Sequence, residues 1–327
     1  MPILQKELMC IYIFLFLEWN NPNYMGKEPK TPEEKEKFDK FLQYTRNQLL
    51  ELLDNYPAIK GFWFDGTWDA SWKSAYDFTY KLEKELREKH PGLVIGSRFR
   101  NDEHGARHFD SNGQLLGDYE QGWERKLPQQ FEWLDGNDWD AVMTIPPNGW
   151  GYMKDWSGLY TKTTDDILDM LMHSVSMNGN FVLNFGPDGD GNMHPGEDKL
   201  AKEIGEWMNV NSEAVYSVRH ADIPVSKFGY YTQKAGYLYL TIFNRPVNNV
   251  VRIAVPKKAT EVPVSAIILG TTDVLEVRHS DVGLDLDKNT YYDVVLPANF
   301  SRSRAFVIKM QLGAQKSKSE KLMDAKM

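Results

Sequence analysis

Up to residue 211 the chain alternates short apolar runs with helical stripes. Residues 11–17 (Ile-Tyr-Ile-Phe-Leu-Phe-Leu) form an apolar run without alternation, which predicts a strand buried on both faces. The wider run Leu8–Leu17 has the length of a secretory h-region. However, Glu18-Trp19-Asn20-Asn21-Pro22 follows it in place of a small-residue cleavage site. Thr31-Pro32-Glu33-Glu34 reads as a capping box with Pro at the first helical position. From there Phe38, Phe41, Leu42, Thr45, Leu49, Leu52 and Leu53 keep one helical face to about residue 55. Residues 59–64 are the next strand. A helix over 73–89 ends at His90-Pro91-Gly92, and a strand over 93–97 follows.

Residues 98–140 read as a long polar loop with Trp123, Trp133 and Trp139 embedded in it. A loop of that length inside a domain points to function. Further strands are expected at 142–145 and 181–185, with 115–118 as a weaker candidate, and helices at 164–177 and 197–211. Strand–helix alternation with apolar strands predicts parallel strands covered by helices. After about Tyr230 the pattern becomes period-2: 237–243, 250–255, 265–268, 274–278, 291–295 and 305–310, separated by turn residues. That predicts an antiparallel β-sandwich. The expected organisation is a (β/α)8-type barrel domain over 1–225, a β-sandwich over 226–312 and a Lys/Ser-rich disordered tail over 313–327. Five or six strands precede the sandwich where a closed barrel needs eight, so the barrel is expected to be incomplete on its N-terminal side.

Composition narrows the chemistry. Aromatic residues make up 13% of the 327-residue chain, with 10 Trp and 16 Tyr, and exposed rings suit the faces of sugars. The formal net charge of −8 argues against nucleic acid as a partner. No apolar run approaches the ~20 residues of a membrane span. Cys10 is alone, so no intrachain disulfide or cysteine metal cluster is expected. His104 and His108 are four apart, a spacing too sparse to imply a metal. Asp188-Gly-Asp190-Gly-Asn192 opens like a calcium loop but has Met193 and Lys199 where Gly and Glu are needed, and reads as a turn. No metal and no cofactor is expected.

The most informative stretch is Gly61-Phe-Trp-Phe-Asp65-Gly66-Thr67-Trp68. An apolar strand ending in a carboxylate is how a parallel β/α scaffold presents a catalytic acid. Glycoside cleavage needs two carboxyls across the scissile bond. Asp65, Glu103, Asp118, Glu120, Glu124 and Asp140 stand at strand ends or in the long loop. Asp65 is the leading nucleophile candidate, although it could instead cap the following helix. Glu120 and Glu124 flank Trp123 and are candidates for the proton donor.

These segments resemble a retaining α-L-fucosidase of glycoside hydrolase family 29. The matching pieces are Phe62-Trp-Phe-Asp65-Gly, Ser97-Arg98-Phe99, Gly117-Asp118-Tyr119-Glu120, Trp139-Asp140 with Trp150-Gly151-Tyr152, Gly179 to Pro187, and Ile204 to Tyr216. The resemblance implies an exo-acting enzyme that releases terminal α-L-fucose from glycans by double displacement. Asp65 would be the nucleophile and Glu124 the acid/base, with Glu120 as second choice. Trp19, Trp63, Arg98 and Trp150 would bind substrate. It also implies an oligosaccharide or glycoconjugate substrate, no nucleic-acid or membrane partner, and a secreted, periplasmic or lysosomal setting. The family's His and His-His-Asp-Gly-Phe segments have no counterpart here. Two alternatives follow: α-L-galactoside cleavage, and a carbohydrate-binding fragment without catalysis.

Overall fold

The computed structural model describes residues 10–134, 136–280, 288–298 and 304–314. The chain divides into two compact units, 1–124 with 128–140, and 125–127 with 141–327.

In the first unit β1 (Ile11–Leu15), β2 (Gly61–Asp65) and β3 (Val94–Ile95) form a parallel sheet in that order. Its register pairs Ile11 with Gly61, Leu15 with Asp65 and Gly61 with Val94. β1 is not buried on both faces as its apolar run predicts: it is the edge strand of this sheet, and Ile11, Ile13 and Leu15 are exposed while Phe16 beyond it enters the core. Helix α1 (Pro32–Asn55) joins β1 to β2; α2 (Ala70–Lys73) and α3 (Tyr76–Lys89) join β2 to β3. The capping box at Thr31 is formed, with Thr31 Oγ1 accepting the Glu34 N–H at 3.2 Å while the Glu34 carboxylate accepts the Thr31 N–H at 3.3 Å. α1 buries Phe38, Phe41, Leu42, Thr45, Leu49 and Leu53, the stripe expected from the sequence. These side chains pack with Phe16, Phe62, Phe64, Trp72, Leu82, Leu86 and Phe99 in one core. Phe64, inside β2, lies between rings, stacked on Phe16 at 5.3 Å and tilted against Phe99 at 4.5 Å.

The helix expected at 73–89 is two helices. Asp69 caps the short α2, accepting N–H groups from Ser71 (2.9 Å) and Trp72 (3.3 Å). Ser74 Oγ then donates to the Ser71 carbonyl at 2.7 Å, a side chain–backbone bond that favours a turn over continued helix. The long polar stretch also differs from the expectation, because Glu120–Glu124 is a strand, β4. Its sequence Glu-Gln-Gly-Trp-Glu has no apolar alternation, so its periodicity is silent. A parallel bridge between Gly96 and Tyr119 leads into it, with Ser97 N–H donating to the Tyr119 carbonyl at 3.0 Å. Glu120 N–H in turn donates to the Asp138 carbonyl at 2.8 Å, beside the start of β5 (Trp139–Thr144). No strand forms at 115–118; Asp118 and Leu116 instead donate backbone N–H groups to Ile95 and His108.

The second unit takes the rest of β5, α4 (Thr164–Ser176), β6 (Gly179–Asn184) and α5 (Pro195–Asn211), then seven antiparallel strands. These are β7 (Gly229–Lys234), β8 (Tyr237–Ile242), β9 (Val250–Pro256), β10 (Glu261–Ile268), β11 (Val274–Ser280), β12 (Asn289–Val295) and β13 (Phe306–Ala314), in the order β7-β8-β13-β10-β11-β12-β9. β8 shows how period 2 builds two layers. Leu238, Leu240 and Ile242 enter a core shared with Val251, Ile253, Val255, Val294 and Ile308. Tyr239 faces the other way, into a core with Leu168 and Met172 of α4 and Trp207 of α5. Trp207 Nε1 donates to the Ala305 carbonyl at 2.7 Å. β7, unmarked in the sequence reading, is the first strand of a hairpin that turns at Gly236. The disordered tail expected over 313–327 begins too early: Gly313 and Ala314 pair with Val262 and Glu261 at the end of β13, and residues 315–327 lie outside the described residues. Among the described residues no helix is long and apolar enough to cross a membrane.

Candidate active site

β2 delivers Asp65 at its last position, between β1 and β3. Gly66 follows with φ +105°, and a Cβ there would stand 3.2 Å from Phe16. A side chain at 66 would therefore meet both backbone strain and the neighbouring strand's exit. The alternative that Asp65 caps a helix does not hold: that cap is Asp69, and the Asp65 carboxylate turns to Arg98.

Arg98 follows β3 and is 7% exposed. Its Nη1 donates to Asp65 Oδ1 at 2.9 Å and its Nη2 to Glu124 Oε2 at 3.1 Å. Its Nε donates to the Gln121 carbonyl at 2.8 Å. One planar guanidinium thus joins the end of β2 to the end of β4, using the fixed fork that makes Arg suited to carboxylates. Burial raises the Asp65 pKa above the ordinary carboxylate range; the Arg98 charge and hydrogen bond oppose that rise, while Glu124 adds to it. A carboxylate in this setting is desolvated yet held by a cation, as a nucleophile requires.

Trp63, also on β2, lies with its ring 5.3 Å from the Arg98 guanidinium carbon, within cation–π reach. Its Nε1 donates to Asp140 Oδ2 at 2.9 Å. Asp140 is 4% exposed, and burial lifts its pKa to about 6 against the opposing pull of the Trp63 hydrogen bond and Arg98. Burial also drives the nearby Tyr119 phenol upward, with Asp140 adding to it.

Within the first unit the expected site residues do not all converge. Asp65, Glu124, Arg98 and Trp63 come together. Glu120 instead accepts from Trp123 Nε1 at 3.3 Å. Trp19, after β1, is 77% exposed and sits beside Tyr24, whose hydroxyl donates to Asp69 Oδ2 at 2.8 Å. Trp150 belongs to the second unit; the Arg125 guanidinium lies 5.7 Å from its ring, and Asn184 Nδ2 donates to its carbonyl at 3.0 Å. Among the described residues no cluster of three or more His, Cys, Asp or Glu could hold a metal.

Two positions that the sequence left as motif filler matter here. Gln121 is 1% exposed; its carbonyl holds Arg98 Nε, and its Oε1 accepts the Arg98 backbone N–H at 3.3 Å. Gly96 makes room for it, since a Cβ at 96 would lie 1.8 Å from Gln121 Oε1. A glycine just before a strand-end Arg was the available signal.

The alpha-L-fucosidase family model matches residues 3–213. Mouse tissue alpha-L-fucosidase is 27% identical over 248 residues, 74% of this chain and 51% of that protein. The Branchiostoma floridae alpha-L-fucosidase is 27% identical over 317 residues, 92% of this chain and 63% of that protein. The chain spans about half the length of the first of these curated relatives. A solved bacterial fucosidase holding a phenyltriazole-pyrrolidine inhibitor is 39% identical, with a TM-score of 0.86 over 95% of this chain and 68% of that one. A Bacteroides thetaiotaomicron family 29 alpha-L-fucosidase, trapped as a covalent intermediate with 2-fluoro-fucosyl fluoride, is 40% identical, with a TM-score of 0.86 over 94% of this chain and 68% of that one. On the family match, which covers well over half of its length, the chain belongs to the alpha-L-fucosidase family.

Proposed function

We propose that this chain carries the catalytic carboxylates of an exo-acting retaining glycosidase that releases terminal α-L-fucose from glycans. The observation that carries the reading is the single Arg98 guanidinium bonded to both Asp65 and Glu124. Asp65 attacks the anomeric carbon and forms a glycosyl-enzyme, while Glu124 gives a proton to the leaving oxygen. Glu124 then takes a proton from the water that hydrolyses the intermediate. Holding two carboxylates on neighbouring nitrogens of one side chain favours the short separation of retaining enzymes over the wider one that admits a water. Trp63 offers an indole face beside the reacting ring. The parallel strand–helix series is read as part of a (β/α)8-type barrel assigned to 1–225, and the antiparallel strands as the β-sandwich of 226–312.

The test is hydrolysis of an aryl α-L-fucoside, with the α-L-galactoside in parallel. Asp65→Asn should lose activity by at least about 10³-fold, the scale expected when a covalent step is removed. Azide should restore turnover in Asp65→Gly by occupying the vacated space and should yield a fucosyl azide. An Asp65→Gly variant as fast as the parent without azide sinks the assignment.

A further inference from the structure

Behind Arg98 runs a chain of hydrogen bonds that the proposed chemistry does not use. Ser97 is fully buried. Its Oγ accepts the Gln121 backbone N–H at 2.9 Å and lies 2.9 Å from His108 Nδ1. With its imidazole proton on Nε2, His108 accepts the Ser97 hydroxyl proton at Nδ1, so that the hydroxyl donates to the imidazole while its oxygen takes the Gln121 N–H. Gln121 then passes the constraint on, because its carbonyl holds Arg98 Nε and its Oε1 the Arg98 backbone N–H. His108 reaches this position with φ +68°, a left-handed conformation that costs a non-glycine residue energy. Its own carbonyl accepts the Leu116 N–H at 2.8 Å. The backbone is thus held in an unfavourable conformation that places an imidazole acceptor on Ser97.

We infer that His108, Ser97 and Gln121 are positioning residues that hold the Arg98 guanidinium in the one orientation able to bond Asp65 and Glu124 together. The argument is geometric. A guanidinium pulled by two carboxylates on different strands is free to pivot about its Cδ–Nε bond unless Nε is fixed. Here Nε is fixed by a carbonyl whose own peptide N–H is pinned by Ser97. The Ser97 hydroxyl is in turn oriented by His108. None of the three residues needs to touch substrate.

The test separates this role from ordinary structural support and from the proposed activity, on which only its kinetic arm rests. His108→Asn places an amide oxygen where Nδ1 stood and tolerates positive φ. His108→Gly removes the acceptor and relaxes the backbone. Ser97→Ala removes the link itself. The first readout is the titration midpoint of the Asp65 carboxyl, followed by carbonyl ¹³C NMR in the aspartate-labelled 327-residue chain and assigned with Asp65→Asn. Loss of an aligned cation should move that midpoint up by about one pH unit in His108→Gly and Ser97→Ala, with His108→Asn close to the parent. The second readout is the pH profile of kcat/KM on the aryl fucoside. It should fall by roughly 10- to 100-fold in the same two variants, with its acid limb moved upward. Titrations of His108→Gly and His108→Asn that coincide, whether with the parent or displaced together, overturn the inference. If the parent itself proves inactive, the functional reading fails, while the NMR arm still decides the positioning role.

Discussion

Asp140 offers a quantitative test of the site's electrostatics. It is 4% exposed and accepts the Trp63 indole N–H, yet its pKa is lifted from 3.8 to about 6, with burial as the largest cause. A carboxyl whose folded-state pKa lies above its unfolded value favours the fold below the unfolded value. That advantage disappears as pH rises through the folded value. Each tenfold change in proton affinity is worth about 1.4 kcal/mol, so carrying ionised Asp140 above pH 6 costs the fold about 3 kcal/mol. Asp140→Asn removes the charge and keeps an oxygen for Trp63. Its new amide N–H groups could cost about 1–3 kcal/mol if unpaired, but that cost does not change with pH. The pH-dependent part is therefore the clean signal. Equilibrium denaturant unfolding of parent and variant between pH 4 and 8, followed by tryptophan fluorescence, should show the variant gaining about 3 kcal/mol relative to the parent. The gain should build between the unfolded and folded values, from about pH 4 to about pH 6, and level off above that. A difference that stays flat with pH, or that turns against the variant as pH rises, refutes the reasoning.

Three further outcomes follow from the same geometry and packing. Glu124→Gln should slow hydrolysis of a fucoside with a poor leaving group by about 10²- to 10⁴-fold while largely sparing one with an activated leaving group. Glu120→Gln should not show this leaving-group dependence, and the reverse pattern would exchange their roles. Gly96→Ala should lower activity without changing the order of leaving-group reactivity, because its Cβ meets Gln121 Oε1 and displaces the residue that holds Arg98. Leu49→Ala, at a fully buried position in the α1 core, should cost about 2–5 kcal/mol in unfolding free energy, read from the denaturant midpoint at constant slope.

The helices, the antiparallel strands and the buried β2 and β5 were legible because one-sided burial leaves a period and complete burial leaves an apolar run; β1 was legible as such a run although Ile11, Ile13 and Leu15 are exposed. The capping box at Thr31, the stripe from Phe38 to Leu53 and the alternation in Tyr237–Ile242 each appear in the structure near where the pattern placed them. Asp65 was legible for a related reason: an apolar run that stops on an acid followed by Gly can be seen in one line of residues. β4 was not. Four of its five residues are polar or aromatic and the fifth is Gly122, because the strand supplies Gln121 and Glu124 to the site and leaves a tryptophan to meet Glu120. Local hydrophobic pattern fails where positions are given to chemistry.

The same distinction explains why Arg98 came from family resemblance and His108 came only as an uninformative spacing. The contacts that give both residues meaning are long-range: Arg98 to Asp65 spans 33 positions and to Glu124 spans 26. Ser97 to His108 spans only 11, but through a loop without periodicity. No local rule distinguishes a histidine that orients a buried serine from one in solvent. What does distinguish it is backbone cost. His108 is one of six non-glycine residues at positive φ among the described residues, four of them Asn or Ser. Asn and His enter that region more readily than most non-glycine residues, yet for either the conformation is uncommon and carries a cost. Such a conformation persists only where the surroundings over-determine it, and here they do so through Ser97 on one side and the Leu116 N–H on the other. The strain at His108 and the orientation of Arg98 are therefore two ends of one constraint, and a substitution that relaxes the first should loosen the second.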